Sequence, residues 1–362
     1  MATKDKGFLD ALKEVGQEKG IAPEVLFEAV EAALVSAYKR NFNTASNVRV
    51  YLERATGEFH VYAQKKVVEK VENKVTEISL LQAQKQFGES IVLDDVVEVE
   101  VTPANFGRIA AQTAKQVVVQ RIREAERGII YEEYSNRSSD ILTGVVQRME
   151  GHNVFIDLGK TEAVLAPSEQ ISTEQYKHND RIKVYVVEVK RTSKGPQILV
   201  SRTHPGLLKR LFELEVPEIQ EGTVEIKSVA REPGMRSKIA VFSANEEIDP
   251  VGSCVGQKGI RIQNIINELN GEKIDVIEWN QDPSIYISAA ILPAQVLAVD
   301  IKEEEKFAQV IVPDDQLSLA IGKAGQNARL AAKLTNWKID IKSESQFRKM
   351  IEEMNKEENK EE

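Results

Sequence analysis

The chain has 362 residues and a net charge of −9, with 42% hydrophobic and 29% charged residues. This composition is typical of globular proteins with about two to four domains, and the acidic balance argues against indiscriminate binding of polyanions. A single cysteine excludes an internal disulfide, four histidines are too few for a metal site of known spacing, and no apolar run approaches a membrane helix. The first twenty residues alternate charged and apolar groups and are not a signal peptide, so we expect a cytoplasmic protein. We also expect no metal and no other cofactor.

The first forty residues predict helices. Leu9, Leu12 and Val15 keep helical spacing, and Pro23 stands near the first turn of a second helix. The second helix carries a wide apolar stripe, so we expect it to pack on a core.

Strands and one long helix follow. Residues 48–53 and 59–62 alternate with period two around a turn, which predicts a hairpin, and residues 96–101 predict another strand. From Phe106 to about Tyr134 the pattern is helical again. A helix of this length near a domain end indicates a rigid connector.

Residues 138–202 predict a domain made almost wholly of strands. β-Branched residues dominate, and turn residues separate the runs. Five strands in so short a segment fit a small Greek-key OB barrel. The predicted strands span residues 141–148, 153–158, 163–165, 181–189 and 197–200.

Residues 222–342 contain a duplication. Each copy has the order strand, strand, short helix, G-x-x-G, helix, strand, and 66 residues separate Gly256 from Gly322. Lys-Ile-Asp follows the second helix of each copy, at 273–275 and 338–340. A period of this size indicates two related domains and not a solenoid.

The two G-x-x-G loops are the strongest binding signal in the chain. Glycine lets a sugar-phosphate backbone approach main-chain amides, and the helix that follows offers unpaired N–H groups to a phosphate. This is the chemistry of the KH loop, which clamps about four nucleotides. Lys258 and Lys323 lie within the loops and Arg261 and Arg329 soon after them. These cations either neutralise phosphate or are solvated surface charges.

The barrel offers weaker candidates. His152 and Phe155 fall at the start of its second strand, where rings on the outer face could stack on bases, although Phe155 could equally be core. Arg202 ends the last strand and is either a phosphate or stacking group or part of a structural ion pair. It belongs to a stretch with eight basic side chains and one acid, residues 181–210.

Catalysis has little support in the sequence. Nucleophile-elbow, Walker, zinc and nicotinamide motifs are missing from it. Asp314 and Asp315 are better interpreted as acids at a helix N-terminus than as paired catalytic carboxylates. We expect Trp279, Trp337 and Cys254 to pack in or near the core.

The KH-like segments carry a resemblance to a known family. Residues 250–275, with the loop Gly256-Gln257-Lys258-Gly259, resemble the first KH module of the bacterial NusA transcription termination/antitermination factors, and residues 319–331 resemble the second. The 138–202 barrel resembles an S1-type RNA-binding domain, and the opening helices resemble the polymerase-binding domain of that family. The resemblance covers nearly the whole chain.

The resemblance implies a multidomain α+β fold. It consists of an N-terminal α/β polymerase-binding domain with a long connector helix, an S1-type OB β-barrel, and two tandem prokaryotic-type (type II) KH domains. The expected boundaries are 1–134, 135–203, 204–280 and 281–345, followed by a charged tail, 346–362. The acidic C-terminal repeats of some relatives, and any autoinhibition they provide, are expected to be absent.

The resemblance also implies a function. Such a protein is not an enzyme; it binds RNA polymerase and nascent single-stranded RNA, promotes pausing and intrinsic termination, and takes part in antitermination with other Nus-type elongation factors. We expect it to be monomeric when free and not bound to a membrane. Ala166 stands where many S1-type domains have a histidine, which weakens the case for stacking in the barrel. The residues expected to contact RNA are Gly256, Gln257, Lys258, Gly259, Arg261, Gly322, Lys323, Ala324, Gly325, Gln326, Asn327, Arg329, His152, Phe155 and Arg202.

Two other functions compete with this one. A general RNA-binding or RNA-decay protein would also combine KH and S1-type domains, but exoribonucleases place KH before the barrel and carry a large catalytic core. An enzyme is the second alternative, and the missing motifs argue against it.

Overall fold

The computed structural model describes residues 20–42, 47–54 and 56–361, together with Glu14, Gly16 and Gln17, with side chains as far as Glu353. The chain divides into two compact units, residues 1–130 and 131–362. The predicted first helix, with Leu9, Leu12 and Val15, lies outside the described residues. Among the helices that are described, none is both long enough and apolar enough to cross a membrane.

The first unit packs helices against a four-stranded sheet. Strand β2 is central and pairs with the other three, antiparallel to β1 and β4 and parallel to β3. The helix at Leu80–Phe87 begins after Ser79, whose hydroxyl accepts a hydrogen bond from the Gln82 N–H. The elements are α1 (Pro23–Phe42), β1 (Val48–Leu52), β2 (Phe59–Val68), β3 (Glu77–Ser79), α2 (Leu80–Phe87), β4 (Val96–Glu100) and α3 (Phe106–Ser135).

The core of this unit lies between α1, the hairpin and the start of α3. Leu26 and Leu34 of α1, Leu52 of β1 and Phe106 of α3 are fully buried in one cluster. The apolar stripe of α1 therefore packs as its spacing predicted, since side chains three and four residues apart share one helix face. Strand β3 and helix α2 were not predicted.

The barrel closes in the strand order β5-β6-β7-β9-β8. It confirms the five predicted strands, with the two long ones extended by two or three residues at their ends. Closure removes the free sheet edges, which lets so short a segment form a stable domain. The strands are β5 (Ile141–Glu150), β6 (Asn153–Asp157), β7 (Glu162–Leu165), β8 (Arg181–Thr192) and β9 (Gly195–Ser201).

The first KH domain follows directly. Its sheet has the order β10-β11-β12, with β10 and β11 antiparallel and β11 and β12 parallel. A helix at residues 205–215 precedes the first strand. The elements are α4 (Pro205–Glu215), α5 (Pro217–Gln220), β10 (Glu225–Glu232), β11 (Arg236–Phe242), α6 (Pro250–Val255), α7 (Ile260–Glu268) and β12 (Lys273–Glu278).

The second KH domain repeats this topology. Its sheet has the order β13-β14-β15 with the same antiparallel and parallel pairings, so the predicted duplication and type II fold are confirmed. The helix before its first strand was not predicted. The elements are α8 (Pro283–Ala290), β13 (Ala298–Lys302), β14 (Phe307–Val312), α9 (Leu317–Ile321), α10 (Gln326–Thr335), β15 (Lys338–Ser343) and a final helix α11 (Glu344–Glu361).

The two KH domains share one hydrophobic cluster. Ala240 and Ile277 of the first sheet pack in the same core as Tyr286 and Leu334 of the second domain. The Ser228 hydroxyl on β10 donates to the Leu334 carbonyl at 2.8 Å. The duplicated domains are therefore joined by a buried contact, which holds the second domain in one position against the first.

Candidate nucleic-acid interface

The two G-x-x-G loops have nearly the same backbone conformation. The first glycine has φ 75°, ψ 172° at Gly256 and φ 78°, ψ 170° at Gly322. The last glycine has φ 73°, ψ 17° at Gly259 and φ 74°, ψ 16° at Gly325. The residue before each last glycine also has a positive φ, 52° at Lys258 and 51° in the second loop. Two sequences that differ between the glycines thus form one shape.

The two glycines of each loop have different roles. A Cβ on Gly256 would lie 2.7 Å from Cγ of Arg261, and one on Gly322 would lie 2.8 Å from the Asn327 backbone nitrogen. A Cβ on the last glycine would meet nothing closer than 3.9 Å at Gly259 or 3.5 Å at Gly325. The first glycine is therefore required by packing as well as by its backbone angles, whereas the second borders open space.

Each loop leads into a helix whose N-terminus is not capped by a side chain. Gly259 and Gly325 occupy the cap positions of α7 and α10, and no side-chain cap hydrogen bond is made there. First-turn N–H groups without an intrahelical partner, together with the helix dipole, favour an anion. Lys258 and Lys323 are exposed in the same loops, as are Gln257 and Ala324. The arrangement suits a phosphate.

The predicted arginines lie beside the loops, and each is already paired. Arg261 Nη1 is 3.0 Å from the Glu218 carboxylate and donates to the Ser253 carbonyl at 2.6 Å. Arg329 Nη2 is 3.1 Å from the Glu232 carboxylate, and Gln326 Nε2 donates to the same carboxylate at 2.7 Å. Sequence reasoning missed both glutamates, because no local pattern marks a partner so far away in the chain.

Asn327 does not present its side chain to solvent. Its residue is 0% exposed, and its Nδ2 donates to the Ile291 carbonyl at 2.9 Å and to the Ala320 carbonyl at 3.0 Å. The prediction that this side chain contacts RNA is therefore wrong. Instead, Asn327 ties the start of α10 to the helix before the loop, and so supports the loop conformation.

The barrel places its two candidate rings on the outside. Phe155 is half-buried on the outward side of β6, and His152 is exposed in the turn before that strand. The Arg148 guanidinium lies 4.2 Å from the Phe155 ring centroid and pairs with Glu150 at 2.7 Å and with Glu162. One face of the Phe155 ring is thus covered by a cation that two carboxylates hold in place.

Arg202 is buried and not available to RNA. It is 1% exposed, and its guanidinium donates to the Glu174 carboxylate at 3.0 Å, to the Lys183 carbonyl at 2.8 Å and to the Glu268 carbonyl at 3.0 Å. The prediction that Arg202 contacts RNA is wrong, and the alternative of a structural ion pair holds. The side chain fastens the barrel to the first KH domain.

The basic stretch of residues 181–210 is largely engaged within the protein. Arg191 lies with its guanidinium 4.1 Å from the Tyr131 ring centroid. Three other cations of the stretch pair with carboxylates, namely Lys183 with Glu268 at 2.8 Å, Lys190 with Glu188 at 3.0 Å and Arg210 with Glu213 at 2.5 Å. The stretch is therefore less basic as a surface than its composition indicates.

Among the residues that the structure describes, one group of three side chains in the first unit could hold a metal ion. Ligand atoms of Glu53, Glu58 and His60 lie within 4.8 Å of one another. His60 Nδ1 is 2.9 Å from the Glu100 carboxylate, and Glu53 accepts from the Thr56 hydroxyl at 2.6 Å. Two of the three thus already have partners, Glu53 in the hairpin turn and His60 on the neighbouring strand β4, so the group is explained without an ion.

Cys254 provides a probe of the first loop's support. It is 0% exposed at the end of α6, and burial raises the pKa of its thiol to about 12. Since the thiolate is the reactive form, we expect no labelling of the folded protein by iodoacetamide at about pH 8 and complete labelling in denaturant. Mass spectrometry of both samples measures this. Rapid labelling of the folded chain would contradict the buried position.

Family models match most of the chain. They are the NusA N-terminal domain over residues 7–128, the S1 RNA binding domain over residues 137–201, the NusA-like first KH domain over residues 202–279 and the NusA-like second KH domain over residues 283–349. The order of these domains is the order expected from the sequence.

Two bacterial relatives align with nearly the whole chain. A transcription termination/antitermination protein NusA from Halalkalibacterium halodurans is 62% identical over 95% of this chain and 90% of its own length. The protein of that name from Bacillus subtilis is 61% identical over 94% of this chain and 92% of its own. A solution structure of the N-terminal domain of NusA from B. subtilis is 58% identical, with a TM-score of 0.31, over 34% of this chain and 98% of that one.

Proposed function

This chain belongs to the NusA family of transcription termination/antitermination proteins, and we propose that it tethers nascent single-stranded RNA to RNA polymerase. It is an RNA-binding transcription factor built from an N-terminal NusA domain, an S1 domain and two KH domains. In this proposal the N-terminal unit binds the polymerase and the second unit binds the RNA. The complex acts in pausing, intrinsic termination and antitermination, in the cytoplasm and without catalysis by this chain.

The observation that carries the RNA-binding part is the matched shape of the two loops. Their backbone angles agree within a few degrees at both glycines, although the residues between the glycines differ. Each loop presents an exposed lysine and leads into a helix that no side chain caps. Two equal phosphate clamps in fixed relation would hold one strand in a defined direction, which suits RNA leaving a polymerase.

The proposed contacts are confined to groups that solvent can reach. They are the loop main chain at Gly256–Gly259 and Gly322–Gly325, with Lys258 and Lys323 neutralising phosphate. The proposed contacts also include three side chains that border the loops, namely Arg261, Gln326 and Arg329. His152 and Phe155 provide a secondary contact in the barrel. The partners proposed are RNA polymerase, nascent RNA and other Nus-type elongation factors, with the chain monomeric when free.

Removal of residues 1–130 separates the two binding activities. The fragment keeps Tyr131, which lies against Arg191, and Tyr134, whose hydroxyl donates to the Leu158 carbonyl. We expect the fragment to bind single-stranded RNA within about twofold of the full chain, because the loops and their supports lie in the second unit. It should lose co-purification with core polymerase. Affinity capture measures the binding of polymerase, and fluorescence anisotropy with a labelled RNA measures the RNA affinity.

A pausing assay tests the combined function. On a hairpin template we expect the full chain to lengthen the pause of purified polymerase, and the fragment to have no effect at the same concentration. Retention of polymerase by the fragment would contradict the role assigned to the N-terminal unit. An unchanged pause with the full chain would contradict the proposed function itself.

A further inference from the structure

One glutamate lies beside each G-x-x-G loop and holds the arginine that borders it. Glu218 in α5 accepts from Arg261 Nη1 through both carboxylate oxygens, at 3.2 and 3.0 Å. Glu232 at the end of β10 accepts from Arg329 Nε at 3.2 Å and Nη2 at 3.1 Å. Both carboxylates come from outside the loop and its helices, so neither is part of the G-x-x-G motif.

The two pairs are not copies of one ancestral pair. Arg261 comes two residues after Gly259, whereas Arg329 comes four residues after Gly325. The second copy has Asn327 at the position of Arg261, and the first has Gln263 at the position of Arg329. The glutamates come from a helix in one case and from a strand in the other. The same pairing is thus built twice from non-equivalent positions.

Each pair also fixes the arginine against its own loop. Arg261 Nη1 donates to the Ser253 carbonyl in the helix before the first loop, at 2.6 Å. Arg329 Nη1 donates to the Ala324 carbonyl inside the second loop, at 2.7 Å. At the second loop, a phosphate bound by the fork of Arg329 would need the Nε and Nη2 donors that Glu232 now occupies. At the first loop, Glu218 occupies only Nη1 of Arg261, so a phosphate there would compete for that donor and for the charge of the guanidinium.

We propose that Glu218 and Glu232 compete with RNA phosphates for Arg261 and Arg329, and so limit the affinity of the two loops. This rests on the proposed function of the loops. The pairs are open enough to exchange: the side chains of Arg261 and Glu218 are 30% and 31% exposed, and those of Arg329 and Glu232 are 53% and 20% exposed. Ion pairs this exposed to water are weak, so a phosphate can displace the carboxylate.

The second pair has a further consequence for the arrangement of domains. Glu232 belongs to the first KH domain, whereas Arg329 and Gln326 belong to the second, so the pair crosses the junction between them. RNA that takes Arg329 removes this contact but leaves the shared hydrophobic cluster and the Ser228–Leu334 bond. Phosphate binding at the second loop therefore loosens only the polar rim of the junction.

Substitution of each glutamate by glutamine tests the competition. Glu218→Gln and Glu232→Gln should each tighten binding of a labelled single-stranded RNA by about three- to tenfold, the range of one ordinary hydrogen bond gained. Glu221→Gln, next to the first pair, and Glu304→Gln, exposed in the second KH domain, remove the same charge and should shift Kd by less than about twofold.

Shorter carboxylates and a double variant separate contact from charge. Glu218→Asp and Glu232→Asp keep the charge but shorten the arm, so their RNA affinities should fall between those of the wild type and the glutamine variants. Adding Arg261→Ala to Glu218→Gln should remove the gain, since the freed guanidinium causes it. Thermal unfolding of each variant confirms that the fold is retained.

An unchanged or weaker RNA affinity in both glutamine variants would overturn the inference, and would assign the glutamates to orienting the arginines for RNA. A gain equal to that of Glu221→Gln and Glu304→Gln would overturn it as well, because it would reflect general repulsion only. Failure of the proposed function has another signature, namely a wild-type chain that does not bind single-stranded RNA at all.

Discussion

Aspartate at both Gly259 and Gly325 should lower the affinity for single-stranded RNA by about 100-fold or more, whereas asparagine at both should keep it within about fivefold. Both glycines have left-handed backbone angles, φ 73° and 74°, which aspartate and asparagine tolerate better than other residues. Space is available, since the nearest atoms to a new Cβ lie 3.9 and 3.5 Å away. The two variants therefore differ mainly in one negative charge at each loop.

The first glycines are less suitable for this test. Gly322 has φ 78° and ψ 170°, a region that only glycine occupies readily, and a Cβ there would lie 2.8 Å from the Asn327 backbone. Gly322→Asp would thus distort the loop and add a charge at once, so a loss of RNA binding could not be assigned to either cause.

Fluorescence anisotropy with a labelled RNA measures the RNA affinities of the aspartate and asparagine variants. Capture of core polymerase is the internal control. Both variants should capture polymerase as the wild type does, because the substitutions lie in the second unit. Equal RNA affinities for the aspartate and asparagine variants would show that no phosphate lies at these loops. Such a result would contradict the central assignment of the interface.

The folds of the barrel and the KH domains were predictable because their signals are local. Strand alternation in residues 141–148 and the repeated Lys-Ile-Asp at 273–275 and 338–340 depend on neighbouring residues only. The G-x-x-G loops are likewise set by short-range sterics, since each glycine is needed for its own backbone angles. Elements with weaker local signals, such as β3 and α2, were not predicted.

The side-chain assignments failed where the deciding partner is distant in the chain. Arg202 meets Glu174 across 28 residues, and Arg329 meets Glu232 across 97. A run of basic residues predicts a basic surface only if no carboxylate folds onto it, and sequence spacing carries no information on that. The prediction of an RNA contact at Asn327 failed for a related reason, because its amide donates to two carbonyls inside the domain.

Arg202→Met should lower the free energy of unfolding of the second unit by about 3–5 kcal/mol, as expected when a buried ion pair loses one partner. The side chains of Arg202 and Glu174 are 1% and 2% exposed, so the substitution leaves a carboxylate buried beside an apolar chain. Denaturant unfolding followed by tryptophan fluorescence measures the loss, because both tryptophans, Trp279 and Trp337, lie in the second unit.

The double variant Arg202→Met/Glu174→Gln supplies the control. It should recover at least half of the lost stability, because the buried carboxylate at position 174 is then replaced by a neutral amide. The recovery is expected to be incomplete, since this amide must also accept the hydrogen bond that Asn270 donates to Glu174 at 3.1 Å. At temperatures where Arg202→Met is fully folded, its RNA affinity should stay within about threefold of the wild type, since the guanidinium is buried. A large loss of RNA affinity with unchanged stability would restore Arg202 as an RNA contact. That outcome would mean that the barrel and the first KH domain separate to admit the strand, and that the buried pair is a closed state of the interface.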